Sequence, residues 1–191
     1  MNQQEIISFF DKYAPFWDEG QVRNEEVIER ILNNSGIEKG VSVLDVACGT
    51  GVLFPDYIKR GAAVTAVDIS PEMVKIAKSK FSDINIICGD VEEIDFAEKF
   101  DSVMIYNAFP HFPDPERVIK RLSECLREGG RLSVAHGMSR EALLKHHSGA
   151  AKEVSRELPT AEALAKIFET YFKVDVIISD NEMYQVSGIK K

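Results

Sequence analysis

The middle of the chain alternates short, apolar, β-rich runs with segments that carry helix signals. The runs are apolar at most positions rather than at every second one, as expected of parallel strands that helices cover on both faces of a sheet. They are SVLDVA (42–47), AVTAVDI (63–69), INIICG (84–89), DSVMIYNA (101–108) and GRLSVAH (130–136). This alternation predicts a doubly wound α/β sheet whose crossover connections are right-handed.

Two of the helix starts carry the same three-residue signature. Ser-Pro-Glu at 70–72 and Asp-Pro-Glu at 114–116 each combine a capping residue, a proline at the first helical position and an acid in the first turn. Gly129 and Gly130 follow the second segment and predict the point at which its helix ends. These signals place helices between the strands, as a doubly wound sheet requires.

The two ends of the chain predict further elements. The first 36 residues indicate two helices packed outside the sheet, and helical stretches are expected at 139–150 and 160–171. The last two strand-like runs, 173–179 and 183–189, are joined by a connection that is too short for a crossover, so they can pair only in antiparallel fashion. The sheet is therefore expected to be mostly parallel and to end in an antiparallel strand.

Length and composition limit the classes of partner. The 191 residues, of which 45% are apolar, suit a single domain over 1–191 with a core of ordinary size. A formal net charge of −8 opposes nucleic-acid binding, and no apolar run is long enough to cross a bilayer. The three cysteines are far apart, so a disulfide framework is not expected. We expect a cytoplasmic monomer or homodimer that acts on a small molecule.

The loop Cys48–Gly51 follows the first strand, and its two glycines allow the backbone to approach a ligand closely. Both dinucleotides and S-adenosylmethionine bind such loops at the carboxyl ends of the strands. The third glycine of the dinucleotide fingerprint would fall at Phe54, and Asp45 would repel a pyrophosphate but attract an ammonium group. Together with Asp68 and Asp90, which end the next two strands, Asp45 predicts a site for a neutral nucleoside with a cationic tail.

Four segments together resemble the class I S-adenosylmethionine-dependent methyltransferases of small-molecule type. VLDVACGTG (43–51) resembles their first motif, VTAVDIS (64–70) the second, and ICGDVEEIDF (87–96) the adenine-contacting segment. Residues 100–136 resemble the block that contains the fourth strand, a helix and the fifth strand. The resemblance implies a Rossmann-like, seven-stranded sheet and S-adenosylmethionine as methyl donor, with S-adenosylhomocysteine as product.

The resemblance also implies a set of cofactor contacts. The expected contacts are Tyr13 and Trp17 in an N-terminal lid, Asp45, Ala47, Cys48, Gly49 and Gly51 at the methionine end, Asp68 at the ribose, Ile69, Met73, Asp90 and Val91 around the adenosine, and Asn107 and Ala108 beside the methyl group. We accordingly expect residues 1–36 to form a helical lid, 37–136 a cofactor-binding core, and 137–191 the C-terminal helices and hairpin.

Histidines and one asparagine mark the acceptor side. His111 and His136 are expected over the carboxyl edge of the sheet, where histidine suits proton removal near neutral pH, although either could instead be a structural residue. Enzymes that methylate amide or base nitrogens often carry Asn-Pro-Pro-Tyr after the fourth strand. This chain has Asn-Ala-Phe-Pro at 107–110, which argues against such acceptors.

Three further polar residues follow the fifth strand. His146 and His147 are neighbours on an expected helix, so their side chains point apart and do not form the metal-binding pair that residues four apart would form. A solvated helix end is their expected role, although with His111 and His136 they could instead form a polar or metal-binding acceptor pocket, and no metal site is predicted. Arg140 could recognise an anionic group or could simply lie on a helix surface.

Two other functions remain open from the sequence. An NAD-dependent oxidoreductase on a Rossmann fold would use an acid such as Asp68 in the same way, but Phe54 and Asp45 oppose it. A protein that binds S-adenosylmethionine without catalysis is the second alternative, because methyl transfer needs no indispensable catalytic residue whose absence the sequence would reveal.

Overall fold

A seven-stranded sheet forms the centre of the computed structural model, which describes residues 2–19, 23–146 and 150–191. The strands are β1 (Ser42–Val46), β2 (Ala63–Asp68), β3 (Asn85–Cys88), β4 (Phe100–Tyr106), β5 (Leu126–His136), β6 (Phe172–Ser179) and β7 (Tyr184–Lys190). Their order in the sheet is β3-β2-β1-β4-β5-β7-β6. Strands β1 to β5 pair in parallel, and β7 lies antiparallel to both β5 and β6. The predicted doubly wound α/β class and the antiparallel C-terminal strand are confirmed.

Helices cover both faces of this sheet. They are α1 (Gln3–Tyr13), α2 (Glu25–Asn34), α3 (Phe54–Arg60), α4 (Pro71–Lys80), α5 (Pro115–Cys125), α6 (Arg140–His146) and α7 (Ala161–Phe168). Helices α2 to α4 pack into one apolar core and α5 to α7 into the other. Strand β1 serves both cores, because the side chain of Val43 enters the first and that of Leu44 the second, and each is fully buried. None of the helices among the described residues is both long and apolar enough to cross a membrane.

The two predicted helix starts are present, but one helix end differs from its prediction. The hydroxyl of Ser70 accepts a hydrogen bond from the backbone of α4, and the carboxylate of Asp114 does the same at α5. Helix α5 ends before the predicted glycine pair. Leu126 is already extended and buried, and it pairs with Phe100 of β4, so tertiary burial ends this helix rather than Gly129.

The C-terminal helices are shorter than predicted. Helix α6 covers only part of the 139–150 stretch, of which 147–149 lie outside the described residues, and a 3₁₀ turn follows at Ala150–Val154. Helix α7 begins after the capping residue Thr160 and ends early because β6 begins at Phe172. The predicted antiparallel hairpin of β6 and β7 is confirmed.

The strand order creates a crevice at one edge of the sheet. From β1 the chain continues to β2 on one side, whereas β4 joins β1 on its other side. The connections that leave β1 and β4 therefore diverge, and doubly wound sheets bind their ligands in the crevice that such a divergence leaves at the carboxyl ends.

The conformation of the loop Cys48–Gly51 requires that residue 51 has no side chain. The φ of Gly51 is +89°, and a Cβ there would lie 2.5 Å from the ring of Phe54, which is fully buried. We predict that Gly51→Ala lowers the free energy of unfolding by about 2–4 kcal/mol, the sum of left-handed strain and overpacking. Gly40→Ala is the matched control, because Gly40 has φ +85° and no atom within 4 Å of the added Cβ. Equal losses for the two variants in urea titrations would contradict the clash with Phe54.

Candidate active site

A cavity of about 890 Å³ lies over the carboxyl ends of β1, β2 and β4, a volume suited to a small-molecule site. The described residues on its wall come mostly from the ends of these strands and the loops after them, from the loop after β3, from α1 with the turn that follows it, and from the segment after β5. Arg23, Met73 of α4 and Arg117 of α5 also line it. The predicted contacts on the wall are Tyr13, Trp17, Ala47, Cys48, Gly49, Asp68, Ile69, Met73, Asp90, Val91, Asn107, Ala108 and His111.

The loop after β1 exposes its backbone to the cavity. Ala47 and Gly49 both have φ +56°, a left-handed conformation that is uncommon for alanine and indicates stored strain at a site. The indole nitrogen of Trp17 lies 3.7 Å from the point that a Cβ on Gly49 would occupy, so a side chain at this position would touch the indole. Within the loop, the backbone nitrogen of Gly51 donates to the carbonyl of Cys48.

The carboxylate of Asp68 links this loop to the start of α4. Its two oxygens accept hydrogen bonds from the backbone nitrogens of Gly49, at 2.7 Å, and Ser70, at 2.9 Å. Asp68 is only 7% exposed, yet it lies on the cavity wall. Burial raises the pKa of its carboxyl group to about 6, although both hydrogen bonds favour the ionised form.

Asp45 and Gly51, two of the predicted contacts, lie outside the wall of this cavity. Asp45 is only 3% exposed, so its carboxyl group is buried in the protein. Burial raises its pKa to about 8, the charge of Asp68 adds to the increase, and the nearby hydroxyl of Tyr57 opposes it. Asp45 is therefore mostly protonated at neutral pH and presents little charge to the cavity. Burial also raises the pKa of the Cys48 thiol well above its ordinary value, so Cys48 is not a nucleophile here.

The acid after β3 is held by contacts from two directions. One oxygen of Asp90 accepts from the side-chain amide of Gln3 at 2.7 Å, and the other accepts from the backbone nitrogen of Glu92 at 2.9 Å. Val91, beside it, is buried. Helix α1 reaches this place because Asn2 and Glu5 form a capping box that fixes its first turn.

Two acids join helix α1 and the turn that follows it to the segments after β1 and β2. Asp11 accepts hydrogen bonds from the hydroxyl of Ser70 at 2.6 Å and from the backbone nitrogen of Glu72 at 3.2 Å. Asp18 accepts from the hydroxyl of Thr50 at 2.6 Å. These contacts hold the aromatic side chains of the N-terminal segment, Phe9, Phe10, Tyr13, Phe16 and Trp17, along the cavity.

Asn107 joins the ends of β4 and β5. Its φ is +55°, and its side-chain oxygen accepts from the backbone nitrogen of Gly137 at 3.0 Å. The hydroxyl of Tyr106 fills the space beside Gly137, since a Cβ on that glycine would overlap it. Asparagine tolerates the left-handed conformation better than most residues, which suits it to this sharp exit from the strand.

The two candidate histidines have different surroundings. The Nδ1 atom of His111 lies 2.8 Å from the carbonyl oxygen of Val154. A carbonyl oxygen can only accept, so this contact places a proton on Nδ1, and whenever the ring is neutral Nε2 is its basic nitrogen. His136 is fully buried and packs against the ring of Tyr184, with 5.9 Å between ring centroids, and it is not on the cavity wall.

The other polar residues after β5 do not form a ligand site in the described structure. Arg140 forms an ion pair with Glu157 at 2.7 Å and donates to the carbonyl of Leu158, so its charge is engaged within the protein. His147 and the side chain of His146 lie outside the described residues. Among the residues that are described, no three histidine, cysteine or acidic side chains are grouped to hold a metal.

Several wall residues were missed by sequence reasoning. Gln3, Tyr106, Phe112, Met138 and Leu143 all line the cavity. No single-sequence pattern identifies Gln3, because its contact with Asp90 spans 87 residues. The apolar residues followed ordinary core patterns, so nothing distinguished them from buried packing residues.

Comparisons with known proteins agree with this geometry. A family model described as a methyltransferase domain matches residues 44–134. A ubiquinone biosynthesis O-methyltransferase of Coxiella burnetii is 31% identical over 142 residues, which cover 69% of this chain and 61% of that protein. A malonyl-[acyl-carrier protein] O-methyltransferase of Priestia megaterium is 28% identical over 139 residues, 69% of this chain and 51% of that protein. The chain thus spans between half and about three fifths of the length of these relatives.

A solved structure shows the same fold at lower identity. The magnesium protoporphyrin IX methyltransferase ChlM from Synechocystis PCC 6803, determined with bound S-adenosylhomocysteine, superposes with a TM-score of 0.73. The alignment covers 100% of both chains at 18% identity. The matched first motif and strand blocks, the sequence relatives and the seven-stranded sheet lead to one conclusion: this chain belongs to the class I S-adenosylmethionine-dependent methyltransferases.

Proposed function

We propose that the protein transfers a methyl group from S-adenosylmethionine to a small-molecule acceptor. One observation carries this proposal: the ionisable carboxyl group of Asp68 faces the cavity directly beside Gly49, a left-handed loop residue that has no side chain. That arrangement offers acceptors for two ribose hydroxyls next to a backbone that a ligand can approach closely. The names of the curated relatives, both O-methyltransferases, support the same activity.

The residues present fit this cofactor. Ala47 and Gly49 would hold its methionine end through the backbone, Asp68 its ribose, and Asp90 with Val91 its adenine. Ile69, Met73, Tyr13 and Trp17 line the same cavity and would enclose the adenosine and the sulfonium region, and Asn107 with Ala108 would border the methyl group. When bound, S-adenosylmethionine supplies a methyl group that its sulfonium charge has already activated.

A dinucleotide fits the same walls poorly. Asp68, Asp90, Glu92 and Glu93 line the cavity, and their charges would repel a diphosphate. Phe54, at the position of the third glycine of the dinucleotide fingerprint, is fully buried against Gly51, so the close helix–strand packing that this glycine permits is replaced by an aromatic ring.

The protein's own groups would orient the acceptor, exclude water and remove a proton. The N-terminal segment lines the cavity and would act as a lid that shields it from solvent during transfer. His111 would accept a proton at Nε2 from an acceptor that arrives protonated, while the carbonyl of Val154 holds the ring in that tautomer. His136, fully buried away from the wall, has no place in this scheme.

We further infer a cytoplasmic monomer or homodimer that binds neither nucleic acid nor membranes. All three cysteines are free, as expected in a reducing compartment, and the net charge is −8. We assign one domain, with 1–36 as lid, 37–136 as cofactor-binding core and 137–191 as C-terminal helices and hairpin.

Calorimetric titration tests the donor. We expect S-adenosylmethionine and S-adenosylhomocysteine to bind with micromolar affinity, about −8 kcal/mol, and NAD not to bind. Preferential binding of NAD would instead indicate hydride transfer. Binding of both adenosyl ligands without methyl transfer to any acceptor would identify a catalytically silent binding protein.

The ionisation of Asp68 predicts a pH-dependent affinity for S-adenosylhomocysteine. Ribose hydroxyls donate to the ionised carboxylate, so binding favours the deprotonated form, and affinity should rise as the pH increases through about 6. Between pH 5 and pH 7 the expected gain is about tenfold. Asp68→Asn should bind more weakly and show no such step, and thermal unfolding would verify that this variant is folded. A pH-independent wild-type affinity would refute the ribose assignment.

His111→Ala tests the proposed base. We expect kcat to fall about 100-fold or more, while the dissociation constant of S-adenosylhomocysteine changes little. Added imidazole should restore part of the rate, because it can occupy the vacated space and accept the proton. An unchanged kcat, or a loss explained entirely by weaker cofactor binding, would remove His111 from the mechanism.

A further inference from the structure

A group of apolar side chains on the cavity wall is not needed for the cofactor contacts proposed above. Phe10, Phe112, Met138 and Leu143 belong to it. The ring of Phe10 meets that of His111 edge-on, with 4.9 Å between centroids, so this apolar surface adjoins the proposed base. Phe112 and Met138 also pack against the core that contains Leu143, which makes the surface a fixed part of the fold.

The positive charges on the wall are already engaged. Among the residues that the structure describes, the wall carries two cationic side chains, Arg23 and Arg117. Arg23 pairs with Glu25 and Asp56, each at 2.9 Å, and Arg117 pairs with Glu92. The residues outside the described ranges contain neither lysine nor arginine.

Negative charge predominates on the same wall. Glu19, Asp68, Asp90, Glu92 and Glu93 all line the cavity, and they outnumber the two arginines. An acceptor with a net negative charge that entered this cavity would leave water without finding an unpaired guanidinium or ammonium side chain on the described wall, and it would also meet several carboxylates. Burial of an unpaired charge costs several kcal/mol, so the wall disfavours anionic ligands.

We propose that the methyl acceptor is an uncharged, mostly apolar molecule and that the site selects against carboxylate- and phosphate-bearing acceptors. This inference rests on the proposed function, and it specifies the chemical class of the acceptor, which the comparisons do not determine. The two relatives are named for different acceptors, one in ubiquinone biosynthesis and the other on a malonyl-carrier protein. The charges of this cavity, rather than those names, decide between the acceptor classes.

Calorimetry with a matched pair of probes tests the selectivity. Each of 2-naphthol and 2-naphthoate is titrated into the protein in the presence of saturating S-adenosylhomocysteine, at pH 8, where ordinary histidines are neutral. The probes share their ring system and differ in charge. We expect 2-naphthol to bind about tenfold more tightly or better, because like charges oppose the carboxylate. Equal or tighter binding of 2-naphthoate overturns the proposal.

Two sets of variants separate the charge effect from the apolar contact. The double variant Glu25→Gln, Asp56→Asn releases Arg23, so 2-naphthoate should gain affinity while 2-naphthol stays the same. Phe10→Ala should weaken 2-naphthol several-fold, whereas Phe10→Leu, which keeps an apolar side chain, should weaken it less. Failure of the double variant to bind 2-naphthoate more tightly would show that the pairing of Arg23 does not set the preference, and this too would overturn the proposal.

Failure of this inference is distinguishable from failure of the proposed function. If S-adenosylhomocysteine binds but neither naphthalene does, the wall is not an apolar acceptor surface and the inference is wrong, while the cofactor assignment stands. If S-adenosylhomocysteine itself does not bind, the proposed function fails first and the acceptor inference falls with it.

Discussion

At the carboxyl edge of the sheet, where the cavity lies, the arrangement of the loops depends on the buried carboxylate of Asp68. Asp68 ends β2 and accepts hydrogen bonds from two backbone amides, one in the loop after β1 and one at the start of α4. Ser70, which provides the second amide, also caps α4 and donates to Asp11 of α1. A single acid thus fixes the loop after β1, the start of α4 and, through Ser70, helix α1.

The same interaction explains how two acids can share a small buried region. Among the described residues no backbone amide donates to Asp45, so burial and the charge of Asp68 keep its carboxyl group mostly protonated at neutral pH. Asp68 keeps a lower pKa because the amides of Gly49 and Ser70 stabilise its negative charge. The protein therefore presents one ionised carboxylate at the loop, on the side that faces the cavity.

Sequence reasoning predicted what depends on local patterns. Apolar runs located the strands to within a few residues, and capping residues such as Ser70 and Asp114 located helix starts. Burial set by distant elements could not be predicted. His136 ends its strand at the expected edge, but β7 inserts beside β5 and Tyr184 covers the ring. Likewise, the contact of Gln3 with Asp90 depends on where helix α1 packs in the folded protein, and no local sequence pattern predicts that position.

The position of Trp17 gives the protein a built-in optical reporter. It is the only tryptophan in the chain, and its indole nitrogen lies beside Gly49 in the cofactor loop. The emission of an indole ring depends on the polarity around it, so intrinsic fluorescence would follow this one place without any label. Any movement of the N-terminal segment relative to this loop would therefore change a signal that rapid mixing can record in milliseconds.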